Sequence, residues 1–401
     1  MRNHWNFFGP GRLVFGSGSI SGLGGLVSRR GLGRILVVTD KNLVAAGILE
    51  RVRQSLEEAK VNFAVFDGGE PEPSLDTADR AVEAAWQFLP DAILGLGGGS
   101  NIDLAKIVAT LLAHGGGPAD YFGFDRIPGR VTPLICVPTT AGTGSEVSHS
   151  AVLTDSANHI KVSTLSEYLR PALAIVDPSL TLSCPAKATA DSGIDALTHA
   201  IEAFTVVPFT QIDTPPDGSG PYDGKTPFGD MLAERAIALI GQNLVTAVKE
   251  PDNLSARENM ALAATLAGMA FSNCGVSIVH ALEYPIGAVL HVSHGAGNGL
   301  LLPYVMRFNL PVRTPEFARI AALLGADTHD LDEPAAAEAA VRQVEQLKRD
   351  IGIPERLRDI SATSEQLPAF AEKSFAIKRL VGINPRPVTE SDLLGILQEA
   401  L

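Results

Sequence analysis

The first half of the chain alternates short apolar runs with longer amphipathic segments. The apolar runs, rich in Val, Ile and Leu, lie at residues 34–39, 62–66, 91–96, 134–137 and 172–176. They have the length and composition of buried strands. The segments with helical spacing of apolar positions are 42–59, 75–89 and 101–112. Strands that alternate with helices predict a mostly parallel sheet covered by helices on both faces.

After about residue 187 the pattern changes to long stretches rich in Ala and Leu. These stretches, which predict helices, lie at 188–205, 227–249, 255–272, 333–351 and 390–400. The sequence therefore predicts an α/β domain over 1–187 followed by an all-helical domain over 188–401. Residues 208–228 are rich in Pro, Gly and Asp. We expect this segment to be too polar and broken to pack, and to pass over the surface or over a site mouth.

Composition narrows the classes of function and the cellular location that are compatible with the sequence. The 401 residues are 45% apolar and carry a formal charge of −13, without a run of Lys or Arg. This charge pattern argues against nucleic-acid binding, because phosphate neutralisation needs clustered cations. The three cysteines are widely spaced and form no C-x-x-C motif, which is typical of a reducing compartment. There is no apolar run of about eighteen residues and no signal-peptide pattern, so we expect a cytoplasmic protein without a membrane span.

Two loops that follow predicted strands are candidates for cofactor binding. The first consists of Gly97, Gly98, Gly99 and Ser100 and opens a predicted helix, and the second contains Thr139, Thr140 and Thr143. Glycines let a pyrophosphate approach the backbone, and a helix N-terminus supplies N–H groups. Ser100 and Asp103 have the spacing of a capping box. Either loop alone could be an ordinary tight turn, but two loops at one sheet edge favour a dinucleotide.

Asp40 also ends a predicted strand. From there its carboxylate could accept hydrogen bonds from an adenosine ribose and repel a 2′-phosphate. The usual fingerprint places such an acid about twenty residues after the glycine loop, whereas Asp40 precedes it. The pattern predicts dinucleotide binding on a Rossmann-like sheet with a non-standard layout.

A candidate metal site lies in the second half. Asp195 and His199 would share one face of a helix, because they are separated by four residues. His280 and His294 could complete a site of one oxygen and three nitrogens for Fe²⁺ or Zn²⁺. We expect His291 to face solvent or the site edge and not to bind the metal.

These motifs together resemble the iron-containing (group III) alcohol dehydrogenases, which have a dehydroquinate-synthase-like fold. The resemblance covers essentially the whole chain and includes the stretches 97–106, 138–146, 193–202, 279–295 and 384–386. It implies an N-terminal nucleotide domain, a C-terminal helical domain, and a metal in the cleft between them. It also implies homodimers or larger homo-oligomers.

The resemblance assigns roles to individual residues. The implied metal ligands are Asp195, His199, His280 and His294. The pyrophosphate loop would be 97–100, and Thr139, Thr140 and Thr143 would form a second loop on the nicotinamide side. Lys161 would approach the cofactor ribose, and Asp40 would select NAD over NADP.

The chain departs from the family pattern at two positions. Tyr284 stands where many members have a further histidine that relays the alcohol proton. A phenol is a poor proton shuttle near neutral pH, because its reference pKa is about 10. Glu72 stands where Asn is usual, and a carboxylate near the cofactor phosphates would be unfavourable unless it hydrogen-bonds a hydroxyl. The excursion 208–228 is longer than in the plain alcohol dehydrogenases.

The sequence thus predicts an NAD(H)-linked, metal-dependent dehydrogenase for a small alcohol or aldehyde. The metal would lower the pKa of the alcohol, and the four ligands would leave a net charge near +1. One alternative on the same fold is a hydroxyacid–oxoacid transhydrogenase or 4-hydroxybutyrate-type dehydrogenase. A cation close to the metal would favour it, but Lys378, Arg379 and Arg386 have no predicted location. A dehydroquinate-synthase-like lyase and a non-catalytic assembly subunit fit the motifs less well.

Overall fold

The computed structural model describes residues 2–156, 160–213 and 220–401. The described chain divides into two compact units. One is Phe8–Cys184, called here the sheet unit. The other, called the helical unit, combines the segment up to Phe7 with Pro185–Leu401. The N-terminal residues thus group with the helical unit, although the sequence places them with the sheet.

Among the described residues of the sheet unit, nine strands form two sheets. The strands are β1 (Leu13–Phe15), β2 (Arg34–Val38), β3 (Asn62–Phe66), β4 (Ala92–Gly97), β5 (Gly123–Phe124), β6 (Leu134–Pro138), β7 (Ser150–Asp155), β8 (Ile160–Leu165) and β9 (Leu173–Val176). The main sheet has the order β1-β9-β6-β4-β2-β3, and its neighbouring strands are parallel. The predicted parallel sheet is confirmed.

Side chains of β2 show that both faces of this sheet are covered. Leu36 and Val38 pack into one apolar cluster, and Ile35 and Val37 pack into the other. A strand buried on both faces needs apolar residues at every position, which is why the run has no polar alternation. Strand β3 pairs with one edge of β2, and the next strand, β4, pairs with the opposite edge of β2. The carboxyl ends of β2 and β4 therefore form the topological switch point.

The second sheet was not predicted. Strands β7 and β8 pair antiparallel, and β5 joins them in the order β5-β8-β7. Their sequences mix Ser, Thr and Lys with apolar residues, so they lack the continuous apolar run that marks the other strands. Lys161 lies on β8.

The sheet unit, as far as it is described, has five α-helices: α1 (Leu23–Ser28), α2 (Lys41–Ala45), α3 (Ile48–Glu58), α4 (Leu75–Phe88) and α5 (Gly99–His114). The predicted single helix over 42–59 is wrong, because the chain breaks between α2 and α3. Gly47 adopts the left-handed conformation at the break, with φ +74°. Glycine reaches that conformation without the steric cost that other residues incur.

In the part of the helical unit that the structure describes there are ten α-helices: α6 (Ala186–Thr205), α7 (Pro227–Lys249), α8 (Leu254–Cys274), α9 (Ile278–Leu290), α10 (His294–Asn309), α11 (Thr314–Leu323), α12 (Glu333–Ile351), α13 (Leu367–Phe375), α14 (Lys378–Val381) and α15 (Glu390–Ala400). The predicted all-helical second half is confirmed. The segment between His280 and His294, which the sequence suggested was broken, contains most of α9 with Pro285 inside it.

Helix α7 is the one single helix among the described residues with the length and apolar composition of a membrane span. Core helices of water-soluble proteins reach the same values. In this structure α7 packs against α6 and α8.

The expectation that 208–228 is too polar to pack is wrong for the part that the structure describes. Tyr222, Asp223 and Thr226 are buried. The Asp223 N–H donates to the carbonyl oxygen of Asn273 at 2.7 Å, and Thr226 caps α7. The polar groups of this segment satisfy one another and their helical neighbours, which allows them to be buried. Residues 214–219 lie outside the described residues.

Two glycine substitutions test the backbone argument with opposite signs. Gly47→Ala should lower the free energy of unfolding by about 1–2 kcal/mol, because alanine is strained at positive φ. Gly395 lies inside α15, and a Cβ there meets no atom within 4 Å. Gly395→Ala should therefore raise the free energy of unfolding by roughly 0.5–1 kcal/mol. Calorimetric melting of both variants measures the difference, and equal effects would contradict the assignment of the break to Gly47.

Candidate metal centre and cofactor loops

Three helices of the helical unit bring together Asp195, His280 and His294. Asp195 lies on α6, His280 on α9, and His294 is the first residue of α10. A Cβ at Gly295 would lie 2.0 Å from the carbonyl oxygen of Asp191. Glycine is therefore required for the start of α10 to approach α6 closely enough to place His294 beside Asp195.

The three side chains direct potential ligand atoms at one another. Asp195 Oδ1 lies 3.9 Å from His280 Nε2 and 4.0 Å from His294 Nε2. All three potential ligand atoms lie within 4.8 Å of one another. Separations of this size suit a single divalent ion, for which metal–ligand bonds are about 2.0–2.2 Å. Asp195 and His280 are buried, and His294 is partly exposed.

Two glutamates orient the imidazoles. The Nδ1 atom of His280 lies 2.6 Å from Glu202 Oε2, and the Nδ1 atom of His294 hydrogen-bonds Glu283. A carboxylate holds the proton on Nδ1 and leaves the Nε2 lone pair for a ligand bond. Glu202 on α6 thus orients His280 on α9, and Glu283 on α9 orients a histidine on α10.

The donor set fits a bound cation. His280 Nε2 is buried and has no hydrogen-bond partner among the residues that the structure describes. Burial favours protonated Asp195, but the imidazoles of His199, His294 and His280 and the Asn298 amide outweigh it and hold the pKa of Asp195 below its usual value. An ionised carboxylate and an imidazole nitrogen without a partner are suitable ligands for Fe²⁺ or Zn²⁺.

Two further carboxylates lie beside the expected ligands. A net charge near +1 counts only the four expected ligands and a divalent ion. The structure adds the carboxylates of Glu202 and Glu283, which hydrogen-bond directly to the histidines. Together with Asp195, three acidic side chains therefore lie at this centre.

His199 has a different environment from the other expected ligands. Its ring stacks between Phe271, at a centroid distance of 4.2 Å, and His280, at 4.8 Å. Its Nδ1 lies 3.9 Å from Asp195 Oδ2, but it is not part of the three-residue cluster. Its role as fourth ligand stays a prediction. His291 is exposed and ends α9 in the left-handed conformation, as expected for a residue at the site edge.

Asn298 connects two of the clustered residues. Its amide nitrogen donates to Asp195 Oδ1 at 2.8 Å and lies 3.1 Å from His294 Nε2. Sequence reasoning assigned no role to Asn298, Glu202 or Glu283. A signal existed for the glutamates, because His199 and His280 are each followed by Glu at the third position. Each glutamate, however, serves a histidine of another helix, and sequence spacing cannot reveal that pairing.

The two predicted cofactor loops lie side by side in the sheet unit. Thr139 N–H donates to the carbonyl oxygen of Gly97 at 3.0 Å. A Cβ at Gly99 would lie 2.7 Å from Thr143, and one at Gly98 would lie 3.4 Å from Thr140. The glycine loop is therefore packed against the threonine loop, and a side chain at Gly99 would collide with Thr143. The N-terminus of α5 opens at Gly99, where no side chain caps it within the described chain.

The predicted capping box of Ser100 and Asp103 is wrong. Gly98 is the N-cap residue of α5. Ser100 accepts a hydrogen bond from the Glu72 backbone N–H, and Asp103 accepts from the Ser145 hydroxyl at 2.5 Å and from Val152 N–H at 2.9 Å. Asp103 therefore links the threonine loop to β7. In these contacts neither Ser100 nor Asp103 accepts a hydrogen bond from the N–H groups at the start of α5.

Asp40 lies at the topological switch point. It caps α2 by accepting from the N–H groups of Asn42 and Leu43, and its second oxygen accepts from Asn101 at 2.7 Å. Asn101 belongs to α5, so the carboxylate is fixed beside the glycine loop. Sequence reasoning did not identify Asn101.

Glu72 and Lys161 are close together. Lys161 Nζ lies 2.8 Å from Glu72 Oε1, and the lysine side chain is almost fully buried. The ammonium group compensates the charge of the carboxylate that the sequence suggested would be unfavourable near a cofactor. The ion pair thus links Lys161 on β8 to the loop that carries Glu72.

Two family models match the chain. A model described as iron-containing alcohol dehydrogenase matches residues 10–178, and one for the C-terminal part of the Fe-containing alcohol dehydrogenase family matches residues 223–401. The chain is 36% identical to the NAD-dependent methanol dehydrogenase of Bacillus methanolicus, over 99% of this chain and all of that protein. It is 38% identical to long-chain-alcohol dehydrogenase 1 of Geobacillus thermodenitrificans, over 97% and 96% of the two chains.

Solved structures agree with these sequence matches. A 1,3-propanediol oxidoreductase superposes with a TM-score of 0.93 at 34% identity and covers both chains completely. An alcohol dehydrogenase from Oenococcus oeni gives a TM-score of 0.92 at 32% identity, with 99% and 100% of the chains covered. The chain belongs to the iron-containing alcohol dehydrogenase family and is an oxidoreductase with the fold of that family.

Proposed function

We propose that this alcohol dehydrogenase uses NAD(H) and a divalent metal, Fe²⁺ or Zn²⁺, to interconvert a small alcohol and its aldehyde. The observation that carries the proposal is the convergence of Asp195, His280 and His294, with the two histidines fixed by buried glutamates. A bound divalent ion would supply Lewis acidity that lowers the pKa of the alcohol, and the nicotinamide would exchange the hydride. The transhydrogenase alternative uses the same fold but needs an acid substrate.

The residues of the helical unit would hold the metal and orient the substrate. We propose Asp195, His199, His280 and His294 as ligands. Tyr284 lies on α9 with its ring 6.0 Å from that of His294. From this position its hydroxyl could hydrogen-bond the substrate oxygen and fix its orientation, although its reference pKa of about 10 makes it a weak proton carrier.

The residues of the sheet unit would bind the dinucleotide. In this proposal the N–H groups at the start of α5 and the loop 97–100 receive the pyrophosphate. The hydroxyls of Thr139, Thr140 and Thr143 line the nicotinamide side, and Lys161 approaches a ribose. Asp103 acts indirectly, by bracing the threonine loop. The homo-oligomeric assembly and the cytoplasmic location stay predictions.

His280→Ala should abolish metal binding and activity together, because the other ligands cannot replace a buried nitrogen donor. His291→Ala is the matched control, since it removes an exposed imidazole from the end of the same helix. Metal content and NADH oxidation with short aldehydes are measured after stripping and reloading with Fe²⁺ or Zn²⁺. Full activity of metal-free His280→Ala would contradict the proposal.

Glu202→Gln should weaken the metal site without removing a ligand. The amide cannot hold the Nδ1 proton of His280 as a carboxylate does, so metal affinity should fall roughly ten- to a hundredfold. Competition with a chelator measures the affinity. Glu258 is not among the residues at the metal centre, so Glu258→Gln serves as a control on the same unit. An unchanged affinity in Glu202→Gln would show that the glutamate has no orienting role.

Asp40→Ser should shift the preference from NADH toward NADPH. Serine keeps an acceptor for the N-cap of α2, so the helix start is retained while the negative charge is removed. We expect kcat/KM for NADPH to rise about tenfold or more, because repulsion of the 2′-phosphate disappears, and kcat/KM for NADH to fall. An unchanged ratio of the two values would reject Asp40 as the selector.

A further inference from the structure

The side chain of Asn298 contacts two of the proposed metal ligands. It lies on α10 and is completely buried. Its amide nitrogen lies 2.8 Å from Asp195 Oδ1 and 3.1 Å from His294 Nε2. Its carbonyl oxygen is buried and has no hydrogen-bond partner among the described residues. Within the described chain, both hydrogen bonds of this side chain therefore go to proposed ligands.

The chemistry of the two neighbours fixes the direction of these bonds. An ionised carboxylate can only accept, so the end of the amide beside Asp195 must be the N–H end. The Nδ1 atom of His294 hydrogen-bonds Glu283 and carries the ring proton, which leaves a lone pair on Nε2. A side-chain amide has two N–H groups, and one is available for each acceptor.

Close packing of α10 holds Asn298 in this position. A Cβ at Gly297 would lie 2.8 Å from Glu283 Cγ on α9, and a Cβ at Gly299 would lie 2.7 Å from Ile194 Cγ1 on α6. The glycines on either side of Asn298 thus bring α10 against both neighbouring helices. The amide is therefore fixed beside the ligands by the backbone as well as by its own hydrogen bonds.

The two acceptors differ in the number of lone pairs that they offer. A carboxylate oxygen has two, so Asp195 Oδ1 can accept from Asn298 and bind a cation at the same time. The Nε2 atom of a neutral imidazole has one lone pair, so in His294 it can accept from Asn298 or bind a cation, but not both. The Nε2 atom of His280 has no hydrogen-bond partner in the described chain, so the amide does not compete there.

We propose that Asn298 stabilises the metal-free protein and weakens metal binding, so that the ion can be exchanged without loss of the fold. The inference rests on the proposed function, since it requires a divalent ion at Asp195, His280 and His294. The bond to Asp195 persists when the ion binds and cancels from the binding equilibrium. The bond to His294 is lost when the ion binds. A ligand shifts an equilibrium only through interactions that differ between the two states.

The expected effect has the opposite sign to that of Glu202. The Glu202 carboxylate holds the Nδ1 proton of His280 and raises the basicity of Nε2, so its loss weakens metal binding. Asn298 instead contacts the atom that would bind the ion. Its removal leaves the Nε2 atom of His294 without this donor in the metal-free protein, which is costly, and changes the metal-bound protein less.

Asn298→Leu removes both N–H groups and keeps a side chain of similar volume. We expect it to bind Fe²⁺ or Zn²⁺ roughly three- to tenfold more tightly than the wild type, as measured by competition with a chelator. The metal-free variant should melt at a lower temperature than the metal-free wild type, and the loaded forms should differ less. Asn298→Ala cannot clash and should show the same signs, and it carries the test if the leucine does not fit.

Asn309→Leu is the matched control, because Asn309 is a buried asparagine of the same helix. Its amide donates to the side-chain oxygen of Asn384 at 2.9 Å, and it does not belong to the three-residue cluster. Loss of this bond should lower the melting temperature of the metal-free and the metal-loaded protein equally. The metal affinity should stay at the wild-type value.

Equal or weaker metal binding in both Asn298 variants would overturn the inference and make Asn298 an ordinary support of Asp195. If neither the wild type nor the variants bind divalent ions, the proposed metal site is rejected and the inference falls with it. Tighter binding by the variants of a protein that turns over no alcohol or aldehyde would support the inference and count against the proposed reaction alone.

Discussion

The helical unit depends on two buried carboxylates that each hold an imidazole of the next helix. Glu202 of α6 holds His280 of α9, and Glu283 of α9 holds His294 of α10. Buried carboxylates are costly unless they are hydrogen-bonded, so each glutamate requires its histidine in place. The same bonds direct the Nε2 atoms toward Asp195. The hydrogen bonds that join the three helices therefore also orient the candidate ligand atoms.

In the sheet unit the corresponding constraint is close backbone packing at the switch point. Gly97 adopts φ +147°, and a Cβ there would collide with Asn101. Asn101 in turn donates to Asp40, which caps the helix after the neighbouring strand. Loops at the ends of adjacent parallel strands are thus fixed by one asparagine. Rigid loops keep N–H groups and hydroxyls directed at a ligand without an ordering cost on binding.

The sequence by itself determined the classes of structure and most of the chemistry. Apolar periodicity predicted the parallel sheet and the helical half, because burial on a strand or a helix requires those spacings. Motif spacing identified Asp195, His280 and His294, which the structure brings together. Only the tertiary structure decided the rest. The left-handed break at Gly47 and the hairpin β7–β8 are local features that apolar periodicity does not mark. The crossed partners of Glu202 and Glu283 depend on contacts between residues distant in the chain. Local periodicity carries no information about such contacts, since the partners are chosen by how the elements pack.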